Sequence, residues 1–65
     1  MKNSTLIEAR HQAGFTQKQV ADHIGIAEVS YQRLEYGQMP SLQTAIRIAK
    51  LFCTTVEKLW DGNPT

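Results

Sequence analysis

The stretch Thr16–Gly37, TQKQVADHIGIAEVSYQRLEYG, decides how this chain folds. It predicts two short helices joined by a tight turn. Thr16 and Gln19 stand three apart, the spacing of a capping box. In that motif the hydroxyl accepts the backbone N–H of the third helical residue, and the glutamine reaches back to the N–H of the cap. Over Gln17–Ile24, Val20, Ala21 and Ile24 share one face. Gly25 ends that helix, because a residue without a Cβ accepts the positive φ of a helix stop. A second helix follows over about Glu28–Glu35, and Gly37 ends it.

The second helix has two unlike faces. At about 100° per residue, Ala27, Tyr31 and Leu34 fall on one side and are expected to pack. Glu28, Val29, Gln32 and Arg33 fall within an arc of about 140° on the other. A carboxylate, a methyl pair, an amide and a guanidinium are the groups that contact base edges in a DNA major groove. A merely solvated face looks the same on this helix alone, so the surrounding pattern has to decide.

That pattern is specific. Ala21 and Gly25 form Ala-x-x-x-Gly, followed by Tyr31, Leu34, Glu35 and Gly37. Arg10 precedes them, Gln17 opens the first helix of the pair, and Pro40-Ser41-Leu42 comes after. With these residues the chain resembles the phage-repressor (Cro/cI-like, XRE) helix-turn-helix family, over about Leu6–Leu59 and without gaps. The resemblance implies an all-α, compact five-helix, lambda-repressor-like domain. It implies a sequence-specific transcriptional regulator, such as a repressor, that binds double-stranded DNA at a palindromic operator. The helix at about 28–35 would lie in the major groove, with Glu28, Val29, Gln32 and Arg33 reading bases. Gln17, Lys18, Ser41 and Gln43 would hold phosphates. Tyr36, where the family favours Asn, either packs across the loop or offers its hydroxyl to a phosphate. The resemblance also implies that Arg10 pairs with Glu35 across the core. Two further departures stand out: Ala27 replaces the usual Ser or Thr cap before the second helix, and Cys53 replaces a common Gly.

Composition bounds the rest. Sixty-five residues make one domain, spanning 1–65, and a chain of this length buries only about 60% of its unfolded surface. A single cysteine, Cys53, rules out an internal disulfide and suits a reducing compartment. No apolar run approaches the ~18 residues of a membrane span. The Met-Lys-Asn-Ser start lacks the apolar stretch of a secretory signal, so a cytoplasmic location and no membrane partner are expected. The net charge is only +1. Up to Glu35, Lys2, Arg10, Lys18 and Arg33 balance Glu8, Asp22, Glu28 and Glu35. This is not the basic footprint of a strong DNA binder, so helix N-terminal amides have to supply part of any phosphate binding. It also keeps open an alternative: a protein-interaction module on the same fold, such as an antitoxin or a phage antagonist.

The flanks complete the expectations. Asn3 or Ser4 caps a first helix carrying Leu6, Ala9, Arg10 and Ala13 on one face, and Gly14 stops it. Phe15 sits before the next cap as a hydrophobic staple. Ser41 caps a fourth helix whose stripe reads Leu42, Ala45, Ile46, Ala49 and Phe52. Thr55 caps a short fifth helix, Val56 to about Trp60, with Leu59 inward. Val56 and Trp60 lie four apart on a helix with little core left for both, which points to a weak homodimer through that helix. The tail Asp61–Thr65 is expected to fray. His11, His23 and Cys53 lack ligand spacing, so no metal or other cofactor is expected. No nucleophile–base pair, catalytic carboxylate pair or phosphate loop is present in the sequence, so no enzymatic activity is expected.

Overall fold

Four of the five helices start at a capping side chain, and the first four stop where the backbone turns left-handed. The computed structural model of the protein describes residues 2–60. Its helices are α1 (Ser4–Ala13), α2 (Gln17–Ile24), α3 (Glu28–Glu35), α4 (Leu42–Leu51) and α5 (Val56–Trp60). No strand occurs among the described residues. The architecture is the expected all-α, five-helix domain. The tail, 61–65, lies outside the described residues.

The caps act locally. Asn3 Oδ1 accepts from the Leu6 N–H at 3.0 Å and starts α1. Thr16 Oγ1 accepts from the Gln19 N–H at 3.1 Å while Gln19 Oε1 accepts from the Thr16 N–H at 2.9 Å, which completes the capping box of α2. Ser41 and Thr55 accept from Thr44 and Lys58 at the starts of α4 and α5. At α3 the Ala27 methyl offers no acceptor, as expected, and Glu28 in the first turn complements the helix dipole instead. Gly25 ends α2 at φ +77. A Cβ there would meet nothing within 4 Å, so the glycine is required by its backbone angle and not by space. Cys53 does the same work at the end of α4 with φ 56, the only non-glycine at positive φ among the described residues. The Cys53 and Thr54 N–H groups bond the carbonyls of Lys50 and Ala49, so a Schellman turn holds the side-chain-bearing residue in a conformation that costs it roughly 1–2 kcal/mol.

The core is built from all five helices: Leu6 of α1; Val20, Ala21 and Ile24 of α2; Tyr31 and Leu34 of α3; Ala45, Ile48 and Ala49 of α4; Leu59 and Trp60 of α5; and Phe52. α2 packs most closely on α3, α1 touches α3 and α5, and α4 lies against α2 and α5. Phe15 packs on this core, with its ring 5.3 Å from His23 and 6.2 Å from Phe52 between centroids. Ala13 and Ala27 are exposed, so the packed faces of α1 and α3 are shorter than the periodicity predicts.

Two expectations are corrected. On α4 the buried stripe runs through Ala45, Ile48, Ala49 and Phe52, while Leu42 is 72% exposed and Ile46 39% exposed. The stripe is turned by roughly 45° from the expected one. Apolar residues flank it on both edges, Leu42 and Ile46 on one and Ile48 on the other, so periodicity cannot choose; packing on α2 and α5 does. On α5 the core has room for more than Leu59: Trp60 is only 8% exposed and Val56 is half-buried against the core. The inference that Trp60 is left over for a partner therefore fails, because α5 lies across α1 and α4 and closes the core with the indole.

Candidate nucleic-acid interface

The position of α3 is set from its buried end. Arg10 Nε donates to Glu35 Oε2 at 2.6 Å, joining α1 to α3 as the resemblance implies. Arg10 Nη1 also donates to the Phe15 carbonyl at 3.0 Å, which ties in the loop between α1 and α2, and Nη2 lies 3.2 Å from His11 Nε2. The other Glu35 oxygen, Oε1, accepts from Gln17 Nε2 at 2.8 Å, and so joins α2 to the same group. The backbone contributes too: the Asn3 N–H donates to the Glu35 carbonyl at 2.8 Å, and Asn3 Nδ2 donates to the Leu59 carbonyl at 2.9 Å. Every helix except α4 is thus fastened at this point.

The electrostatics follow from burial. Burial alone would raise the Glu35 pKa, but hydrogen bonds from Arg10 first and then Gln17, with the Tyr31 hydroxyl close by, outweigh it and hold the carboxyl below the usual carboxylate range. The Tyr31 hydroxyl is buried beside this pair, without a hydrogen bond of regular geometry. Its pKa is pushed above the ordinary phenol range, by burial first and then by the neighbouring carboxylate.

The opposite side of α3 is open. Glu28 and Arg33 are exposed, Val29 is 55% exposed, and Gln32 is half-buried at the seam with α2. These four residues do share one accessible face. Lys18, in the first turn of α2, is exposed, as are Ser41 and Gln43 at the start of α4. The Ser41 hydroxyl is engaged with Thr44 as acceptor and as donor at 3.0 Å, so the α4 terminus offers backbone N–H groups more than that hydroxyl. Tyr36 is 64% exposed, so the reading that packs it across the loop is not met. Gln17 is half-buried and turned inward: besides donating to Glu35 it accepts from Gln32 Nε2 at 3.2 Å, leaving one N–H for any outside partner.

One residue at this surface escaped the sequence reading. Lys2 places its ammonium 5.8 Å from the centroid of the Tyr36 ring, and shares a surface hollow with Ile7, Gln17, Glu35 and Tyr36. Nothing near Lys2 in the sequence signals this, since the link to α3 runs through the long-range bond from Asn3 to Glu35. Lys2 changes the charge balance of the face. Arg10 and Glu35 neutralise each other inside, and Glu8 lies in a groove lined by α1, α5 and the end of α4, with no residue of α3. Of the other charges up to Glu35, Lys2, Lys18 and Arg33 then remain exposed against Asp22 and Glu28. Among the described residues no cluster of His, Cys, Asp or Glu is arranged to hold a metal ion, and no helix is long and apolar enough to cross a membrane.

Comparison with family models matches a helix-turn-helix family over residues 6–59. The chain belongs to this family, the DNA-binding helix-turn-helix domains of the XRE (Cro/cI-like) type, whose members are generally transcription regulators. No curated protein and no solved structure gives a significant match.

The depressed Glu35 pKa has a testable consequence. A carboxyl whose folded value lies below its unfolded value of about 4.3 stabilises the fold above that pH, and the contribution is lost as pH falls through the folded value. Glu35→Gln imitates the protonated acid. At pH 7 this variant should be less stable than the parent by about 3–5 kcal/mol, the usual cost of breaking a buried pair. Thermal melts of both proteins should converge as the pH drops below about 4. A gap in melting temperature that stays constant down to low pH would contradict the ionised pair.

Proposed function

We propose that this domain is a sequence-specific DNA-binding regulator that lays α3 in the major groove. The carrying observation is the open Glu28–Val29–Gln32–Arg33 face on a helix whose other side is locked into the core. Arg33 matches guanine O6 and N7, Gln32 matches adenine N6 and N7, Glu28 matches a cytosine amino group, and Val29 a thymine methyl. Phosphates would be held by Lys18, Lys2, Tyr36, the remaining N–H of Gln17, and the α4 start with Ser41 and Gln43, which sets the register on the duplex. The competing reading, a protein-interaction module such as an antitoxin, drew on the near-zero net charge. Its support weakens by one charge once Arg10, Glu35 and Glu8 are set aside, which leaves Lys2, Lys18 and Arg33 against Asp22 and Glu28. Arg33→Ala should cost about 1–3 kcal/mol on the preferred duplex, concentrated at one base-pair position. Titration against a set of singly substituted duplexes checks this; equal weakening on all of them would reduce Arg33 to a phosphate contact.

We also propose that the DNA-bound form is a weak symmetric dimer on a palindromic operator. One such module buries only about 600–1,000 Å² on DNA, and helix-turn-helix proteins pair across half-sites about one helical turn apart. With Trp60 buried, the pairing surface is reassigned to Leu42 and Ile46, one turn apart on α4 and both exposed. Sedimentation on a palindromic duplex should give two chains per duplex, and Leu42→Glu should shift the complex to one chain. A strictly one-to-one complex of the parent protein would sink the dimer.

A further inference from the structure

The hydrogen bonds of the buried ion pair continue outward to the reading face, and each link has only one possible polarity. The Glu35 carboxylate, ionised beside Arg10, accepts and never donates. Oε2 is taken by Arg10, and Gln17 lies against Oε1, which can only accept, so Gln17 has to turn its NH₂ inward. That turns the Gln17 carbonyl oxygen toward α3, where it in turn requires a donor. Gln32 supplies it with its own NH₂. What remains of Gln32 for a ligand is the carbonyl oxygen and one N–H, in a fixed order.

We propose that Glu35 and Gln17 are positioning residues that fix the sense of the Gln32 side-chain amide, and thereby narrow the base edge that Gln32 accepts. This rests on the reading of α3 as a base-reading helix. A glutamine amide free to rotate by 180° offers donor and acceptor in either order. It can donate to the two acceptors of guanine or accept from the cytosine amino group as readily as it pairs with adenine. An amide anchored through its NH₂ offers acceptor and donor in one order, which adenine's N6–H and N7 complement. The turned-over amide would set two carbonyl oxygens against each other, Gln32 Oε1 and Gln17 Oε1. Gln17 cannot relieve this by turning over itself without presenting its oxygen to the Glu35 carboxylate. The ion pair thus sets a direction that two amides pass on to a surface position it never touches.

The test compares the full chain with Gln17→Met and Gln32→Ala, on the preferred duplex and on duplexes substituted at each position. Methionine keeps the volume of Gln17 without its hydrogen bonds. Gln17→Met should reduce discrimination by about fivefold at the same base pair that Gln32→Ala affects, and leave discrimination elsewhere unchanged. Uniform weakening on all duplexes would make Gln17 a phosphate contact only and overturn the relay. So would an effect of Gln32→Ala at one base pair with none from Gln17→Met. If Gln32→Ala changes nothing at any position, the base-reading role of Gln32 itself falls. A measurement on the unaltered protein guards against a variant that fails to fold. By NMR, the side-chain NH₂ protons of Gln17 and Gln32 should exchange with water more slowly than those of the exposed Gln12 and Gln43. Equal exchange in all four would overturn the relay as well.

Discussion

Burying a carboxylate and a guanidinium inside so small a domain costs several kcal/mol of lost hydration per ion, and their mutual attraction returns that only with good geometry and further hydrogen bonds. The Arg10–Glu35 pair has both. The 2.6 Å contact is backed by the Phe15 carbonyl on one side and Gln17 on the other. An apolar pair of similar volume could serve stability as well. It could not set where α3 stands relative to α1 and α2, because dispersion contacts are non-directional and a 65-residue core has little area with which to specify an angle. The ion pair makes the placement of α3 a matter of donors and acceptors.

The same pair changes how the charge of the chain is read. A net charge of +1 describes the whole protein, but a duplex would meet only the charges that face it. Two of the charged residues up to Glu35 cancel in the interior, and Glu8 sits in a groove away from α3. Lys2 joins the α3 side only because Asn3 stitches the chain start to the end of α3. With few cations in reach, the proposed binding mode would place a larger share of phosphate binding on the N-terminal amides of α2 and α4, and a larger share of affinity on fixed base contacts. That is the setting in which a directed Gln32 amide matters most.

How much of this the sequence discloses depends on the range of each signal. Helices α2 and α3 have the bounds expected from the sequence because their signals act within four residues: Thr16 with Gln19, then Gly25 and Gly37. The left-handed Cys53 was legible only through the resemblance, in which a Gly is common at that position. The rotation of α4 was not, since Ile46 and Ile48 flank the same stripe and only the packed neighbours decide between them. Nor was the burial of Trp60, which depends on how α5 crosses α1 and α4. At the candidate site, the open face of Glu28, Val29, Gln32 and Arg33 followed from helical periodicity. The inward turn of Gln17 and the approach of Lys2 to Tyr36 did not. Gln17's partners lie fifteen and eighteen residues away, and hydrogen bonds over that separation leave no periodic trace.

The central claim is that the outer face of α3 distinguishes DNA sequences. Selection of bound duplexes from a random pool, repeated over several rounds and sequenced, addresses it directly. The expected outcome is convergence on a short motif repeated in two inverted half-sites about one helical turn apart. A retained pool with the base composition of the input, or no duplex retained at low salt, would contradict it.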